Sequence, residues 1–253
     1  MFRPVHSFNS NGVEIAYDAA GGGPPILLIH GFASNSRVNW RDTGWVKTLV
    51  AAERHVVSMD NRGHGASQKI YDPALYSATE MAEDARRLLD HLGLGKADVM
   101  GYSMGARIAA FLSINHPARV NRAIFAGLAA RMITGVPGSQ AIAAALEAPT
   151  LADVTDSGAR AFRIFAEQTK SDLRALAACM RASQVKITAA DLARIVAPVL
   201  VVAGEKDEIA GDVATLVAAI PGAKGLTLPN RNHMSAVGDN GFKQAVSHFL
   251  SAN

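Results

Sequence analysis

The stretch that decides the fold of this chain is Gly101-Tyr102-Ser103-Met104-Gly105. A short apolar segment at residues 97–100 precedes it, and an apolar run at residues 106–112 follows. A serine between two glycines at this spacing, between a strand and a helix, is typical of a nucleophile elbow, a sharp turn that exposes the serine hydroxyl. Glycines are needed there because a Cβ atom would clash with the neighbouring strand and helix. Taken alone, the five residues are equally compatible with a glycine-rich turn that carries an incidental serine.

The composition is typical of a globular protein. The chain has 253 residues, of which 49% are hydrophobic and 19% charged, enough for the core of one α/β domain with an insertion. The net charge is +3, but Lys and Arg are interspersed with Asp and Glu, which gives no support to nucleic-acid binding. The one cysteine, Cys179, excludes an intrachain disulfide, and we expect it to be a buried, unreactive thiol.

The sequence motifs favour neither a metal nor a cofactor. The chain has no CxxC or HExxH pattern, and the triple glycine at residues 21–23 is not followed by the Lys-Ser/Thr pair of a phosphate-binding loop. The N-terminus lacks a signal-peptide pattern, and no run of eighteen apolar residues is present. We therefore expect a cytoplasmic protein that works without metal or cofactor and does not bind membranes.

Strand-like and helix-like segments alternate over most of the chain. Asn11-Gly12 predicts a hairpin between the first two strands. The alternation predicts an α/β protein, a mostly parallel sheet with helices on both faces. It stops between residues 128 and 195, where helical periodicity and a capping box at Thr188 predict a helical insertion. The predicted strands are 2–8, 13–19, 26–30, 55–60, 97–101, 123–126, 198–203 and 224–228, and the predicted helices are 77–92, 103–115, 159–169, 173–183, 211–219 and 241–250.

Two residues are candidates to activate the serine. A serine hydroxyl needs a base to accept its proton and a third group to orient that base. Asp207 and His233 each follow a predicted strand, as Ser103 does, and the carboxyl ends of parallel strands meet at one edge of a sheet. We predict Ser103, Asp207 and His233 as catalytic residues. Alternatives for the acid remain at Glu205, Glu208 and Asp212.

A loop after the predicted strand 26–30 is a candidate for binding an oxyanion. Acyl transfer through a tetrahedral intermediate needs two donors for the negatively charged oxygen. The backbone N–H of Met104, the residue after the serine, is one candidate, and the backbone N–H of Phe32 in His30-Gly31-Phe32 is the other. His30 is expected to brace this turn and not to act as the base.

These motifs together resemble the α/β hydrolase fold superfamily over essentially the whole chain, in particular serine esterases with a helical lid. The resemblance rests on His30-Gly31-Phe32, Gly101–Gly105, Gly204-Glu205-Lys206-Asp207, Asn232-His233 and the D-x-R-G-x-G-x-S loop at residues 60–67. It implies an eight-stranded, mostly parallel sheet. It also implies a core domain of residues 1–127 and 196–253, a lid of residues 128–195, and a structural role for Asp60 and Arg62.

The expected function is hydrolysis of carboxylic esters through an acyl-enzyme on Ser103. A lactonase acting on enol-lactones is an alternative, followed by a carbon–carbon bond hydrolase or a perhydrolase. Serine at the nucleophile position argues against dehalogenase and epoxide hydrolase chemistry, which uses a carboxylate in this superfamily. Outside the enzymes, a non-catalytic binding protein on this fold remains an alternative.

The expected substrate is a small ester or lactone, and the protein itself is expected to be a monomer or homodimer. Residues close to the predicted nucleophile, oxyanion loop and base are candidates for substrate contact: Phe32, Tyr102, Met104 and Met234.

Overall fold

The computed structural model describes residues 6–182 and 185–251. Eight strands form one sheet in the order β1-β2-β4-β3-β5-β6-β7-β8. β1 and β2 form the predicted hairpin, and β2 pairs with β4 antiparallel, while every other pair is parallel. The strands are β1 (His6–Ser10), β2 (Val13–Ala20), β3 (Pro25–Ile29), β4 (His55–Met59), β5 (Ala97–Tyr102), β6 (Val120–Ala126), β7 (Val199–Gly204) and β8 (Lys224–Leu228).

Helices cover both faces of the sheet. The α-helices outside the long β6–β7 connection are α1 (Trp45–Ala51), α2 (Ala78–His91), α3 (Met104–Asn115), α9 (Val213–Ala219), α10 (His233–Ala236) and α11 (Asn240–Ser251). Residues of α1 and α11 pack on one face in a cluster that contains Trp45 and Phe242, and residues of α2, α3 and α9 pack on the other. The predicted α/β architecture is thereby confirmed.

The connection between β6 and β7 is helical. It contains α4 (Arg131–Thr134), α5 (Ser139–Glu147), α6 (Ser157–Gln168), α7 (Leu173–Arg181) and α8 (Ala189–Leu192). The capping box at Thr188 is present, since its side chain accepts from Asp191 N–H while the Asp191 carboxylate accepts from Thr188 N–H. We call this connection the helical segment.

Most predicted elements differ from the observed ones by one to three residues. β1 extends to Ser10, and the predicted residues 2–5 of that strand, like residue 183 of the predicted helix 173–183, lie outside the described residues. Four helices that the sequence patterns did not predict are short, with four to nine residues: α1, α4, α5 and α10. Within residues 6–182 and 185–251, every helix is too short or too polar to cross a bilayer.

Candidate active site

Ser103 lies in a strained turn between β5 and α3. Its φ of 55° and ψ of −116° fall in a region that side chains other than glycine rarely adopt. A Cβ atom on Gly101 would come within 2.1 Å of the Gly105 carbonyl oxygen, and one on Gly105 within 2.0 Å of the Ile29 carbonyl oxygen. The glycines are therefore required because backbone passes where their side chains would be. Ser103 N–H donates to the Ala126 carbonyl at 2.7 Å, which ties the turn to β6.

The structure brings Ser103, His233 and Asp207 into one hydrogen-bonded chain. His233 Nε2 lies 3.1 Å from Ser103 Oγ, and His233 Nδ1 lies 2.9 and 3.0 Å from the two carboxylate oxygens of Asp207. The Asp207 side chain is fully buried, and its Oδ1 also accepts from Ile209 N–H and Ala210 N–H at 3.1 and 3.0 Å. These contacts hold the carboxylate beneath Nδ1 and direct Nε2 at the serine hydroxyl.

The other acidic residues near β7 point elsewhere. Glu205 accepts from Asn230 N–H at 2.8 Å, and Asp212 caps α9 by accepting from Thr215 N–H at 2.7 Å. Glu208 is exposed. Asp207 is thus the carboxylate in contact with His233.

His233 is held on a third side by Tyr102. The Tyr102 hydroxyl donates to the His233 carbonyl oxygen, and the two ring centroids are 5.3 Å apart. Burial raises the pKa of Tyr102, which keeps the hydroxyl protonated as a donor. His233 is also the first residue of α10, whose N-cap Asn232 accepts from Met234 N–H and Ser235 N–H. The candidate base His233 is therefore held at the capped N-terminus of α10.

The loop after β3 is held by His30. His30 Nε2 accepts from Asn61 N–H at 2.9 Å, so Nδ1 carries the proton and donates to the Gly31 carbonyl at 2.7 Å. Burial lowers the pKa of His30 and favours this neutral form. Asn39 Oδ1 accepts from Gly31 N–H at 3.1 Å. His30 braces the turn that presents Phe32.

The two predicted oxyanion donors have no protein acceptor among the described residues. Phe32 N–H lies in the turn after β3, and Met104 N–H lies in the first turn of α3, where helix N–H groups lack intrahelical partners. A Cβ atom on Gly31 would be 3.3 Å from Ser103 Cβ. The β3 loop and the serine turn are therefore in contact.

Asp60 and Arg62 of the loop at residues 60–67 hold neighbouring segments in place. Asp60 accepts from Ser36 N–H and Ala66 N–H, both at 2.7 Å. Arg62 pairs with the buried Asp84 through two contacts of 2.7 Å. Burial lowers the pKa of His64 to about 3, which keeps the ring neutral. These contacts agree with a structural role for the loop.

Two cavities meet at Ser103. The inner cavity has a volume of about 100 Å³ and the outer one about 520 Å³, and Phe32, Ser103 and Phe162 line both. Met104 lines the inner cavity, while Tyr102 and Met234 line the outer one. All four residues predicted for substrate contact thus border a cavity at the serine.

Sequence reasoning missed several residues that line these cavities. Arg107 on α3, Ile142 on α5 and Cys179 on α7 border the inner cavity, and Phe165 on α6 borders the outer one. Arg107 has a signal in the sequence, because it follows Ser103 by four residues and so lies on the same helix face. In the part of the chain that the structure describes, no three His, Cys, Asp or Glu side chains converge as metal ligands would.

Known proteins are similar to this chain in sequence over part of its length. A family model described as alpha/beta hydrolase fold matches residues 24–138. A fluoroacetate dehalogenase from Burkholderia sp is 38% identical over 108 residues, which are 42% of this chain and 34% of that protein. The aligned regions span 25–41% of the length of the curated relatives that the chain matches.

Solved structures match over almost the whole chain. A hydrolase from Pseudomonas aeruginosa PA01 is 26% identical with a TM-score of 0.76, and 98% of each chain is covered. An enol-lactonase from Burkholderia xenovorans LB400 is 22% identical with a TM-score of 0.83, covering 98% of this chain and all of that one. With the sheet order and the serine turn, these matches show that the chain has the α/β hydrolase fold.

Proposed function

We propose that this protein is a serine hydrolase that cleaves carboxylic esters through an acyl-enzyme on Ser103. The observation that carries the proposal is the Ser103–His233–Asp207 chain, with contacts of 2.9–3.1 Å at the strained turn. A hydroxyl on a base that is itself oriented by a buried carboxylate is the arrangement that activates serine for attack on a carbonyl carbon.

Each side chain has one role in the proposed reaction. His233 Nε2 accepts the proton of Ser103 as Oγ attacks the ester carbonyl, and Asp207 stabilises the resulting imidazolium and its orientation. The N–H groups of Phe32 and Met104 stabilise the oxyanion. His233 then protonates the departing alcohol, and a water molecule activated by the same imidazole hydrolyses the acyl-enzyme.

The helical segment is proposed to be the lid of this site, in the region predicted as residues 128–195. Its side chains Phe162, Ile142 and Met180 border the cavities at Ser103. The rings of Phe162 and Phe32 are 6.1 Å apart between centroids, in edge-to-face contact. Apolar side chains there exclude water from the serine and select the shape of the substrate.

Because the proposed nucleophile is a serine, ester cleavage is favoured over the dehalogenase and epoxide hydrolase reactions for which two relatives are named. A relative is named fluoroacetate dehalogenase, and another epoxide hydrolase B from Mycobacterium tuberculosis. Attack by Ser103 on an alkyl carbon would leave an ether, which water does not cleave, whereas attack on a carbonyl leaves an ester that water does cleave. Cleavage at a carbonyl carbon, as in an ester, therefore regenerates Ser103.

A lactonase is the second candidate. A structure described as Est816, an N-acyl homoserine lactone degrading enzyme, is 27% identical with a TM-score of 0.70, covering 96% of this chain. A lactone is a cyclic ester, so the same residues would act, with the alcohol still attached to the acyl chain after ring opening.

Turnover of benzyl butanoate and labelling by a fluorophosphonate probe test the proposal. The wild type should hydrolyse the ester and take up the probe, and Ser103→Ala should lose both. Ser113→Ala is the matched control, because Ser113 lies on the same helix and its hydroxyl donates to the Ala109 carbonyl. An unlabelled wild type without turnover would favour the non-catalytic binding alternative, and lactone turnover without ester turnover would favour the second candidate.

A further inference from the structure

Arg107 is a buried cation at the proposed active site. It lies on α3 one turn after Ser103, is only 8% exposed, and borders the inner cavity. Its Nη2 donates to the Arg131 carbonyl oxygen at 3.0 Å. A guanidinium has five N–H donors and does not lose its proton, so most of its donors are left for another acceptor.

No carboxylate of the described residues pairs with Arg107. Another buried arginine, Arg62, has two contacts of 2.7 Å with Asp84. Burial lowers the pKa of Arg107, and no neighbouring acid opposes that effect. Because Arg107 borders the inner cavity, an anion that enters the cavity can pair with the guanidinium.

The surroundings of Arg107 limit what that partner can be. Among the described residues that line the inner cavity, Arg107 is the one charged side chain, and the walls are mostly apolar, as at Met81 and Leu128. The Tyr76 hydroxyl in this wall is already committed to the Ile70 carbonyl at 2.6 Å, while Ser139 adds a hydroxyl. The volume of about 100 Å³ has room for several water-sized groups. It suits a short aliphatic chain that ends in an anion.

The position of His233 indicates which half of an ester enters the inner cavity. The imidazole must protonate the departing alcohol, so the alcohol has to lie on the side of His233. His233 borders the outer cavity and not the inner one. The alcohol therefore occupies the large apolar outer cavity, and the acyl chain extends past Met104 into the inner cavity towards Arg107.

We infer that Arg107 binds a carboxylate at the far end of the acyl chain, so that the substrates are half-esters of short dicarboxylic acids with an apolar alcohol. This inference rests on the proposed function. Ser103 Oγ bonds to the ester carbonyl carbon, the C–O bond to the alcohol breaks, and the alcohol leaves with a proton from His233. Water then cleaves the acyl-enzyme and releases the dicarboxylate.

Monobenzyl succinate and benzyl 4-methylpentanoate form the test pair, because a branched methyl end replaces the carboxylate at nearly the same shape. Benzyl alcohol release gives kcat/KM for each ester. The wild type should prefer the anionic ester by about 10- to 100-fold, the range for hydrogen bonds to a charged group. Arg107→Met should lose this preference while keeping turnover of the neutral ester, and Arg107→Lys should retain part of it. Arg194→Met, at a side chain that is 65% exposed, is the control for the loss of one charge and should keep the preference.

The outcomes separate this inference from the proposed function. Equal turnover of both esters by the wild type overturns the role of Arg107 and leaves ester hydrolysis standing, and so does an undiminished preference in Arg107→Met. No turnover of either ester, with Ser103 unlabelled by a fluorophosphonate, overturns the proposed function itself. If thermal unfolding shows that Arg107→Met does not fold, the wild-type preference and its partial loss in Arg107→Lys decide the question.

Discussion

The substitution Asp207→Asn tests the proposed role of Asp207, because the structure determines which way the new amide must face. Oδ1 of Asp207 accepts from Ile209 N–H and Ala210 N–H. Asparagine must keep its carbonyl oxygen there, since its NH₂ group would otherwise face two donors. The NH₂ group then takes the place of Oδ2, 2.9 Å from Nδ1 of His233. The NH₂ group can only donate to Nδ1, which favours the tautomer with the ring proton on Nε2. The other tautomer would keep its Nδ1–H 3.0 Å from the carbonyl oxygen, but this N–H would also face the NH₂ group.

The size of the effect follows from the two backbone donors. A His233 with its proton on Nε2 cannot accept the proton of Ser103, so turnover requires either the disfavoured tautomer with the proton on Nδ1 or an asparagine amide that has turned round. Turning it leaves two buried N–H groups without acceptors, at about 1–3 kcal/mol each, or about 2–6 kcal/mol together. At about 1.4 kcal/mol per factor of ten, this cost corresponds to a fall in kcat by a factor between about 30 and about 20,000. The same tautomer argument applies to triads of serine proteases, where the loss is about 10⁴.

The assay is kcat for benzyl butanoate at neutral pH, with KM measured alongside. Asp212→Asn is the matched control because it makes the same chemical change at an exposed cap of α9, outside the site, and it should retain wild-type kcat. A loss smaller than about tenfold in Asp207→Asn would refute the tautomer argument. An equal loss in Asp212→Asn would show that the effect is not specific to the carboxylate beneath His233.

Two further predictions concern stability. Gly105→Ala should lower the free energy of unfolding by about 3 kcal/mol or more, because the new Cβ would lie 2.0 Å from the Ile29 carbonyl oxygen. Urea denaturation measures this free energy. Gly95→Ala is the control, because a Cβ atom on Gly95 would have no neighbouring atom within 4 Å, and it should change the free energy of unfolding by less than about 0.5 kcal/mol. Burial lowers the pKa of His64 from 6.5 to about 3, so between these pH values the unfolded chain binds a proton that the folded chain does not. The free energy of unfolding should therefore fall on acidification, and His64 should contribute about 1.4 kcal/mol per pH unit to this fall. His64→Asn should reduce the slope of unfolding free energy against pH by that amount. An unchanged slope in this variant would contradict a neutral His64.

The sheet and the three residues of the proposed triad could be predicted from the sequence because their determinants are local. Buried parallel strands are continuous apolar runs, as in β3 and β7, and each is followed by a loop at the same edge of the sheet. The turn at Ser103 requires glycines at fixed positions. The prediction of Asp207 kept three acidic neighbours as alternatives, because only the folded contacts distinguish Asp207 from them.

The helical segment was predicted less well because its helices depend on tertiary packing. α5 was not predicted, although Ile142 on it borders the inner cavity. Arg107 was missed for a related reason. α3 is buried on nearly all sides, as at Ile108 and Phe111. Its sequence therefore has no separate polar and apolar faces, and the pattern does not show whether Arg107 is buried or exposed.

Local sequence features position the residues that react, whereas residues distant in the chain line the cavities that select the substrate. The position of Ser103 and its base follows from a turn and two strand ends, which many sequences of this fold can supply. The proposed positions of the acyl chain and the alcohol depend on residues of helices far apart in the chain. Arg107 on α3 borders the inner cavity, and Phe165 on α6 borders the outer one. Substitutions in these walls should therefore change which ester is cleaved while leaving the fluorophosphonate reactivity of Ser103 intact. Substitutions at Asp207 or His233 should lower turnover of every ester alike.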